Sequence, residues 1–340
     1  PLGKFFLVAK RPLVMYIYDI IGSLAGIGIF RTLVFFGFPP MVWFGVFFAL
    51  FIVFLWLNDH RKHLVFLLFI SLGVVGVVSE VGNKNIYWSP YHKIMLVPGP
   101  GSETDLYTNG VGHQFFSKQE DAPLYSFIYA RLVQTGRPLD DVLIIGAGTG
   151  QDVNVALASG AKRIDAVEID PVILRIGKEK HPDHPYDNPV VTTFVDDGRN
   201  FLRNTDKQYD FIIFALTDSP IANSRLGQVR LESYLFTMEA LRLVRERLKP
   251  GGYFVAYNDY RQQWLIDRLS TMIESVFGKE PRKRKLSDMT ILFLAQNEST
   301  AQIPPKAFVP TDDWPFFYRR NRSFGGFHIP ILASMFLIST

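Results

Sequence analysis

Cysteine is missing from all 340 residues. Its absence excludes disulfides, cysteine-ligated zinc and a thiol nucleophile, and it fits a reducing compartment. A strong charge of one sign is missing as well. The chain carries 36 Lys and Arg against 32 Asp and Glu, a net charge of +4. That surplus is too mild and too scattered to argue for a nucleic-acid partner. Two local basic clusters exist, Arg282-Lys-Arg-Lys285 and Arg319-Arg-Asn-Arg322. The first reads as a solvated face and the second as a flank of the apolar run that follows it. Internal repeats and low-complexity tracts are absent from the soluble part. His181-Pro-Asp-His184 has metal-like spacing but no clear third ligand, so it reads as a loop and no metal is expected.

What is abundant is apolar sequence. Hydrophobic residues make up 48% of the chain, and many of them precede residue 79. Leu13 to Phe30 is nearly all apolar, with Gly22, Gly26 and Gly28 suited to close helix packing. Asp19 lies inside this run, where it is either a functional acid or an interfacial one. Met41 to Leu57 is uncharged and, extended back through Pro39-Pro40 to Leu33, long enough to span a bilayer. Leu64 to Val78 is a third, shorter run. None ends in a small-residue cleavage site, so a signal peptide is not indicated. The flanking cations conflict over topology. Lys4, Lys10, Arg11, Arg61 and Lys62 with three spans place the soluble part outside, whereas Arg319, Arg320 and Arg322 place its exit inside. The chain starts at Pro1 and ends within the apolar run Ile329 to Thr340, and it reads as a piece of a longer multi-pass membrane protein.

The chemistry is concentrated at Val142-Leu-Ile-Ile-Gly-Ala-Gly-Thr-Gly150 and Val167-Glu-Ile-Asp170. The first stretch reads as a buried parallel strand, a glycine turn and a helix start. The second reads as the next strand, with an acid at its tip. Such a turn lets the backbone approach a ligand, and the acid can grip ribose hydroxyls. A dinucleotide fingerprint needs glycine at position 151, where this chain has Gln151. The G-x-G-x-G pattern suits an S-adenosylmethionine-type ligand instead and disfavours a nicotinamide oxidoreductase. Further along, strands are expected at 141–145, 164–168, 190–195, 210–214, 253–257 and 290–295, with helices between them, notably 232–248 and 262–277. Before them, Ile86 to Val97 and Leu106 to Phe116 read as a small β module, and Ala122 to Gln134 as a helix. The alternation implies an α/β, doubly wound, mostly parallel sheet. Ligands bind such sheets at the carboxyl ends of the strands, where Gly146, Glu168, Asp197 and Asp218 all fall. The expected organisation is transmembrane segments in 1–80, the β module in 85–118, a Rossmann-like domain in 119–300, a linker in 301–328 and a further transmembrane start in 329–340.

From Tyr87 to Asn297 the chain resembles the spermidine synthases, polyamine aminopropyltransferases built on the methyltransferase-type Rossmann fold. The resemblance rests on Ser89-Pro-Tyr-His-Lys-Ile94, Leu106-Tyr-Thr-Asn-Gly110, Tyr125, the glycine loop and Val167-Glu-Ile-Asp170. It continues through Asp196-Asp-Gly-Arg-Asn-Phe-Leu202, Tyr209-Asp-Phe-Ile-Ile213 and Thr217-Asp-Ser-Pro220. With apolar runs on both sides, the arrangement resembles membrane-embedded spermidine synthase-like proteins of the bacterial inner membrane, with the soluble domain cytoplasmic. The resemblance implies roles. Glu168 and its neighbour Ile169 contact the ribose, Asp197 and Gly198 the adenine, and Gly146, Ala147, Gly148, Thr149 and Gly150 pass under the ligand. His92 reaches it from the β module, and Tyr125 and Asp218 face the amine. The donor is S-adenosylmethionine or its decarboxylated form, the acceptor a small amine such as a polyamine, and the bilayer a partner; oligomeric state stays open.

Three departures weaken the amine half. The family's glycine loop carries an Asp where this chain has Thr149, and that Asp pairs with the ammonium of the decarboxylated donor. A charge-assisted hydrogen bond is worth about 1.5–3 kcal/mol, so about 10- to 100-fold of donor preference is at stake. Asp152 is a candidate to substitute for that Asp, but it reads first as a first-turn helix acid favoured by the helix dipole. The family's first acid near the fourth strand is Ala215 here, leaving Asp218. The family's Thr-Tyr-Pro-Ser-Gly-like loop is also replaced, by Lys285-Leu-Ser-Asp-Met-Thr290. The leading expectation is a spermidine synthase-like transferase moving an aminopropyl or a methyl group. The alternative is an inactive S-adenosylmethionine- or polyamine-binding regulatory domain of a membrane transporter.

Overall fold

The computed structural model describes residues 11–57, 64–78, 85–121, 123–215, 231–260, 262–286, 290–298, 304–305 and 308–320. The chain divides into two compact units. One comprises residues 1–116 with Asp170–Ile176, the other 117–169 with 177–340.

The first unit opens with three apolar helices, α1 (Pro12–Phe35), α2 (Pro40–Leu57) and α3 (Leu64–Val78). At 24 residues, α1 is about 36 Å long and the one described helix long and apolar enough to cross a bilayer. The expected continuation of the second run back through Pro39-Pro40 fails. The chain breaks after Phe35, with Gly37 at φ 70°, and restarts at Pro40. A proline donates no N–H and disfavours helix in the residue before it, so the pair stops one helix and starts the next. The described parts of the second and third helices have 18 and 15 residues, about 27 and 22 Å. Phe48, Leu55 and Leu67 form a small core between α2 and α3.

The two strands expected in the β module are four, β1 (Ile86–Trp88), β2 (Lys93–Pro98), β3 (Thr104–Thr108) and β4 (Val111–Phe116), an antiparallel meander in chain order. Two turns divide the expected strands. At Ser89 the hydroxyl oxygen accepts the backbone N–H groups of Tyr91 and His92. At Asn109-Gly110 both residues have positive φ, 52° and 82°, as a tight hairpin turn requires. Ile94, Leu96, Leu106 and Phe116 pack with Val172, Ile173 and Ile176.

The second unit is built on a seven-stranded sheet. Its elements are α4 (Pro123–Val133), β5 (Asp141–Ile145), α5 (Gln151–Ala158), β6 (Arg163–Glu168), α6 (Pro171–Lys180), β7 (Val191–Val195) and α7 (Gly198–Asn204). There follow β8 (Tyr209–Ala215), α8 (Met238–Arg247), β9 (Leu248–Asp259), α9 (Gln263–Phe277), β10 (Arg282–Lys285) and β11 (Thr290–Gln296). Of α6, only the part from Gly177 onward belongs to this unit. Strand order is β10-β11-β9-β8-β5-β6-β7. Strands β5 to β9 pair in parallel, and β11 runs antiparallel to β9. The expected α/β, Rossmann-like sheet is present, and its central strand β8 is buried at all seven positions. Sequence order reverses at β5, between β8 and β6, which makes the carboxyl ends of these strands the crevice where ligands bind.

One expectation in this unit needs correction. The helix expected over 232–248 is a 3₁₀ turn at Leu231–Phe236 followed by α8, because Thr237 caps the helix by accepting the Ala240 N–H. The basic cluster Arg282–Lys285 is the solvated face expected, and it is also a strand. It is the edge strand β10, exposed at every position and paired with Leu294 to Ile291 of β11.

Candidate active site at the sheet's carboxyl rim

The apolar residues of β5 carry the chain into the glycine loop, and backbone contacts fix its path. The N–H groups of Gly146 and Ala147 both donate to the Val167 carbonyl, at 2.9 and 3.1 Å. Gly148 N–H donates to Glu168 Oε2 at 2.9 Å. The acid expected to hold ribose thus also clamps the loop beneath the ligand position. The Tyr186 hydroxyl adds a second clamp, donating to the carbonyls of Ala147 (3.1 Å) and Gly148 (2.9 Å). Gly150 has φ 100°, and a Cβ there would stand 2.9 Å from the Tyr186 ring. Glycine is therefore required on two counts, conformation and space. Thr149 is fully buried, and its carbonyl lies 2.5 Å from where a Cβ on Gly177 of α6 would sit. Gln151, in place of the dinucleotide glycine, is buried and accepts the Ser117 N–H through Oε1 at 2.8 Å.

Asp197 caps α7. Its Oδ1 accepts the N–H groups of Arg199 (2.8 Å) and Asn200 (3.0 Å). The next residue, Gly198, is pressed against Ile145 at the end of β5, so a Cβ there would overlap that side chain. Ile169 is half-buried and follows Glu168 directly at the end of β6. These residues, with the loop, surround the carboxyl ends of β5 and β6.

Tyr125 of α4 is fully buried, with its ring edge-on to Tyr257 at 6.4 Å. Burial raises its phenol far above the usual range, and Asp152 and Asp259 raise it further. The first-turn acid Asp152 is not the dipole-favoured surface residue expected. It is buried, and its Oδ2 accepts the Tyr257 hydroxyl at 2.5 Å. Burial pushes its carboxyl up to about 6, against the pull of the Tyr257 and Tyr129 hydroxyls toward the charged form.

Of the residues expected at the site, Gly146, Ala147, Gly148, Thr149, Gly150, Glu168, Ile169, Asp197, Gly198 and Tyr125 lie in the second unit. His92 belongs to the first, where its N–H donates to Ser89 Oγ and its ring meets the Asn109 amide. Asp218 lies outside the described residues. Tyr186, Tyr129 and Tyr257 were not expected. Tyr257 carries a usable signal, a polar aromatic near the carboxyl end of an apolar strand; Tyr186 carries none. In the segment His181–His184, His181 is buried against Gln151, and Asp183 accepts from Gln119 N–H and Asn154 Nδ2. It works as a junction of hydrogen bonds. Among the described residues no cluster of three or more metal-ligating side chains occurs.

Comparison with known proteins adds the family context. Residues 130–287 match the family model described as the spermine/spermidine synthase domain. The polyamine aminopropyltransferase of Hamiltonella defensa is 36% identical over 121 residues, covering 34% of this chain and 39% of that protein. The polyamine aminopropyltransferase of Serratia proteamaculans is 37% identical over 121 residues, with the same coverage of 34% and 39%. The chain thus spans about two fifths of the length of these curated relatives. The crystal structure of spermidine synthase from Thermotoga maritima aligns with a TM-score of 0.50 at 18% identity, over 72% of this chain and 85% of that one, and shows the shared fold. Residues 130–287 are thus similar to the spermine/spermidine synthase domain, and polyamine aminopropyltransferases are among the proteins that this Rossmann-like chain is similar to.

Proposed function

We propose that the chain is a transferase that moves a group from an S-adenosyl sulfonium donor to a small amine at the rim formed by β5, β6 and β8. The observation that carries the reading is the coupling of Glu168 to the Gly148 amide. A carboxylate tied to the glycine loop at the sheet's switch point is well set to accept the two ribose hydroxyls, as the adenosyl half of the donor requires. In this reading Asp197 and Gly198 meet the adenine, Gly146 to Gly150 pass beneath the sulfonium, Ile169 packs beside the ribose, and His92 approaches from the β module. Tyr125 and Asp218 face the acceptor. The amine nitrogen attacks the carbon next to S⁺, the C–S bond breaks, and the thioether leaves with both electrons. The nitrogen must shed its proton first, and Asp218 is the acid assigned to receive it. Alignment of nucleophile and sulfonium supplies much of the rate.

With decarboxylated S-adenosylmethionine and a polyamine such as putrescine, the products are the longer polyamine and 5′-methylthioadenosine. Methyl transfer from ordinary S-adenosylmethionine is favoured by one observation, the buried Thr149 where an acid would repel that donor's carboxylate. The named relatives are aminopropyltransferases and lend no support to a regulatory domain of a transporter. We place the protein in a bacterial inner membrane through α1 and its apolar neighbours, with the second unit on the cytoplasmic side where these donors are made. The test is to incubate the full chain with each donor and putrescine and to quantify methylthioadenosine and S-adenosylhomocysteine. Release of either, reduced at least about 10-fold in Glu168→Gln, supports the reading. Release of neither, with no binding of either donor, ends it.

A further inference from the structure

Asp152 is a buried carboxylate with an unusual set of neighbours. Its Oδ2 accepts the Tyr257 hydroxyl, while its Oδ1 is buried with no hydrogen-bond partner among the described residues. The Tyr129 hydroxyl is likewise buried; it favours the charged form of Asp152 without making a hydrogen bond of ordinary geometry. No Lys, Arg or His pairs with Asp152 among the described residues. Its surroundings are the hydroxyls and rings of Tyr129 and Tyr257, with Tyr125 edge-on to Tyr257 at 6.4 Å. A carboxylate withdrawn from water costs several kcal/mol unless a cation meets it, and two phenols offset only part of that. Aromatic faces around a carboxylate also attract a cation in their own right. Asp259 adds to the negative potential at Tyr125. The cluster therefore presents a buried carboxylate with aromatic walls, the groups that recognise an ammonium.

Its position makes the occupant specific. Tyr257 pairs in register with Ala215, the last residue of β8, so the Asp152–Tyr257 bond lies at the carboxyl rim beside the end of that strand. Asp152 itself begins two residues after Gly150 of the loop. We propose that Asp152, walled by Tyr125, Tyr129 and Tyr257, is the specificity-determining receptor for a primary ammonium of the substrates. This rests on the transferase reading above. The ammonium belongs either to the aminopropyl arm of the donor or to the acceptor, and the two sources separate by experiment.

The full chain, Asp152→Asn and Tyr129→Phe are titrated calorimetrically with three probes. These are 5′-methylthioadenosine, which has the adenosyl group without an ammonium, decarboxylated S-adenosylmethionine, and putrescine in saturating methylthioadenosine. Asp152→Asn should leave methylthioadenosine binding within about 2-fold and weaken one ammonium-bearing probe about 10- to 100-fold, the loss of a charge-assisted bond. Weakening of the decarboxylated donor assigns the donor's ammonium, and weakening of putrescine the acceptor's. Tyr129→Phe, which leaves the carboxylate in place, should weaken the same probe about 2- to 10-fold. If methylthioadenosine binds normally and neither variant separates the ammonium probes from it, the inference is overturned while the transferase reading stands. If the unaltered chain binds no methylthioadenosine, the transferase reading falls and takes the inference with it.

Discussion

Substituting Gly177 with alanine sets two effects of opposite sign against each other. Gly177 is in α6, four residues from its end at Lys180. Within a helix, glycine to alanine gains up to about 1 kcal/mol from backbone entropy. Against that, the new Cβ would stand 2.5, 2.7 and 2.8 Å from the O, C and Cα atoms of Thr149. All three are backbone atoms, held by the Glu168 and Tyr186 clamps on the adjoining loop, so no flexible side chain can give way. Overpacking of this kind costs about 1–3 kcal/mol, and contact with three clamped backbone atoms belongs at the upper end. The net expectation is a loss of about 2 kcal/mol. For a domain of this size that lowers Tm by about 4–8 °C. The same displacement moves the Thr149 carbonyl in the glycine loop, so affinity for 5′-methylthioadenosine should fall by about 10-fold or more. Thermal unfolding and calorimetry on the full chain measure both. A Tm raised by about 2–4 °C, the propensity gain alone, with unchanged affinity, refutes the argument that this contact is rigid.

Two further outcomes follow from charged side chains remote from the rim. At the amino ends of the strands, bonds from Arg163 and Lys249 hold Asp141 down to about 2; for Asp210, burial pushes up but Lys249 and Arg137 outweigh it and keep the carboxyl low. Both folded values lie below the unfolded one, so this stability is present above about pH 4 and lost as pH falls toward 2; Asp210→Asn should destabilise at pH 7 and flatten the stability–pH slope in that window, and an unaltered slope in acid unfolding counts against it. Arg268, buried on α9, donates to the carbonyls of Phe317 (2.5 Å), Arg319 (2.7 Å) and Arg320 (3.2 Å), and burial lowers it to about 10. Arg268→Met should free that segment and speed trypsin cleavage after Arg319 or Arg320 about 10- to 100-fold, whereas an unchanged rate means that other contacts hold it.

The central sheet was legible because its strands are buried on both faces. Val142 to Ile145 and Phe211 to Ile213 are unbroken apolar runs, and the expected 141–145 and 210–214 agree with the observed Asp141–Ile145 and Tyr209–Ala215. What escaped is what backbone pairing or tertiary packing decides. Arg282–Lys285 has no apolar alternation; it is a strand because β11 offers a free edge. Asn109-Gly110 is a strong hairpin signal set inside the run Leu106 to Phe116, whose apolar ends read as one strand. The start of α8 was blurred because Leu231 to Leu235 share the composition of the helix that follows, and only the Thr237 cap marks the boundary.

Asp152 carries this argument into the site. A carboxylate in the first turn of a helix reads in sequence first as an acid favoured by the dipole, and only second as part of a site. In the fold its meaning depends on where the helix points that first turn. Here the turn faces the carboxyl end of β9, so the side chain meets Tyr257 instead of water. The substitutions at Thr149 and Ala215 then take on a different sense. Read singly, each removes an acid from the rim. Read with Asp152, they move negative charge within one rim, from the loop and the end of β8 to the first turn of α5, where Tyr257 links the new acid to the strand position that lost one. A carboxylate moved in this way still selects for an ammonium group, but it holds that group from a different direction. On the proposed transferase reading, the chain therefore differs from the aminopropyltransferases it is similar to in which amine it accepts, more than in whether it accepts one.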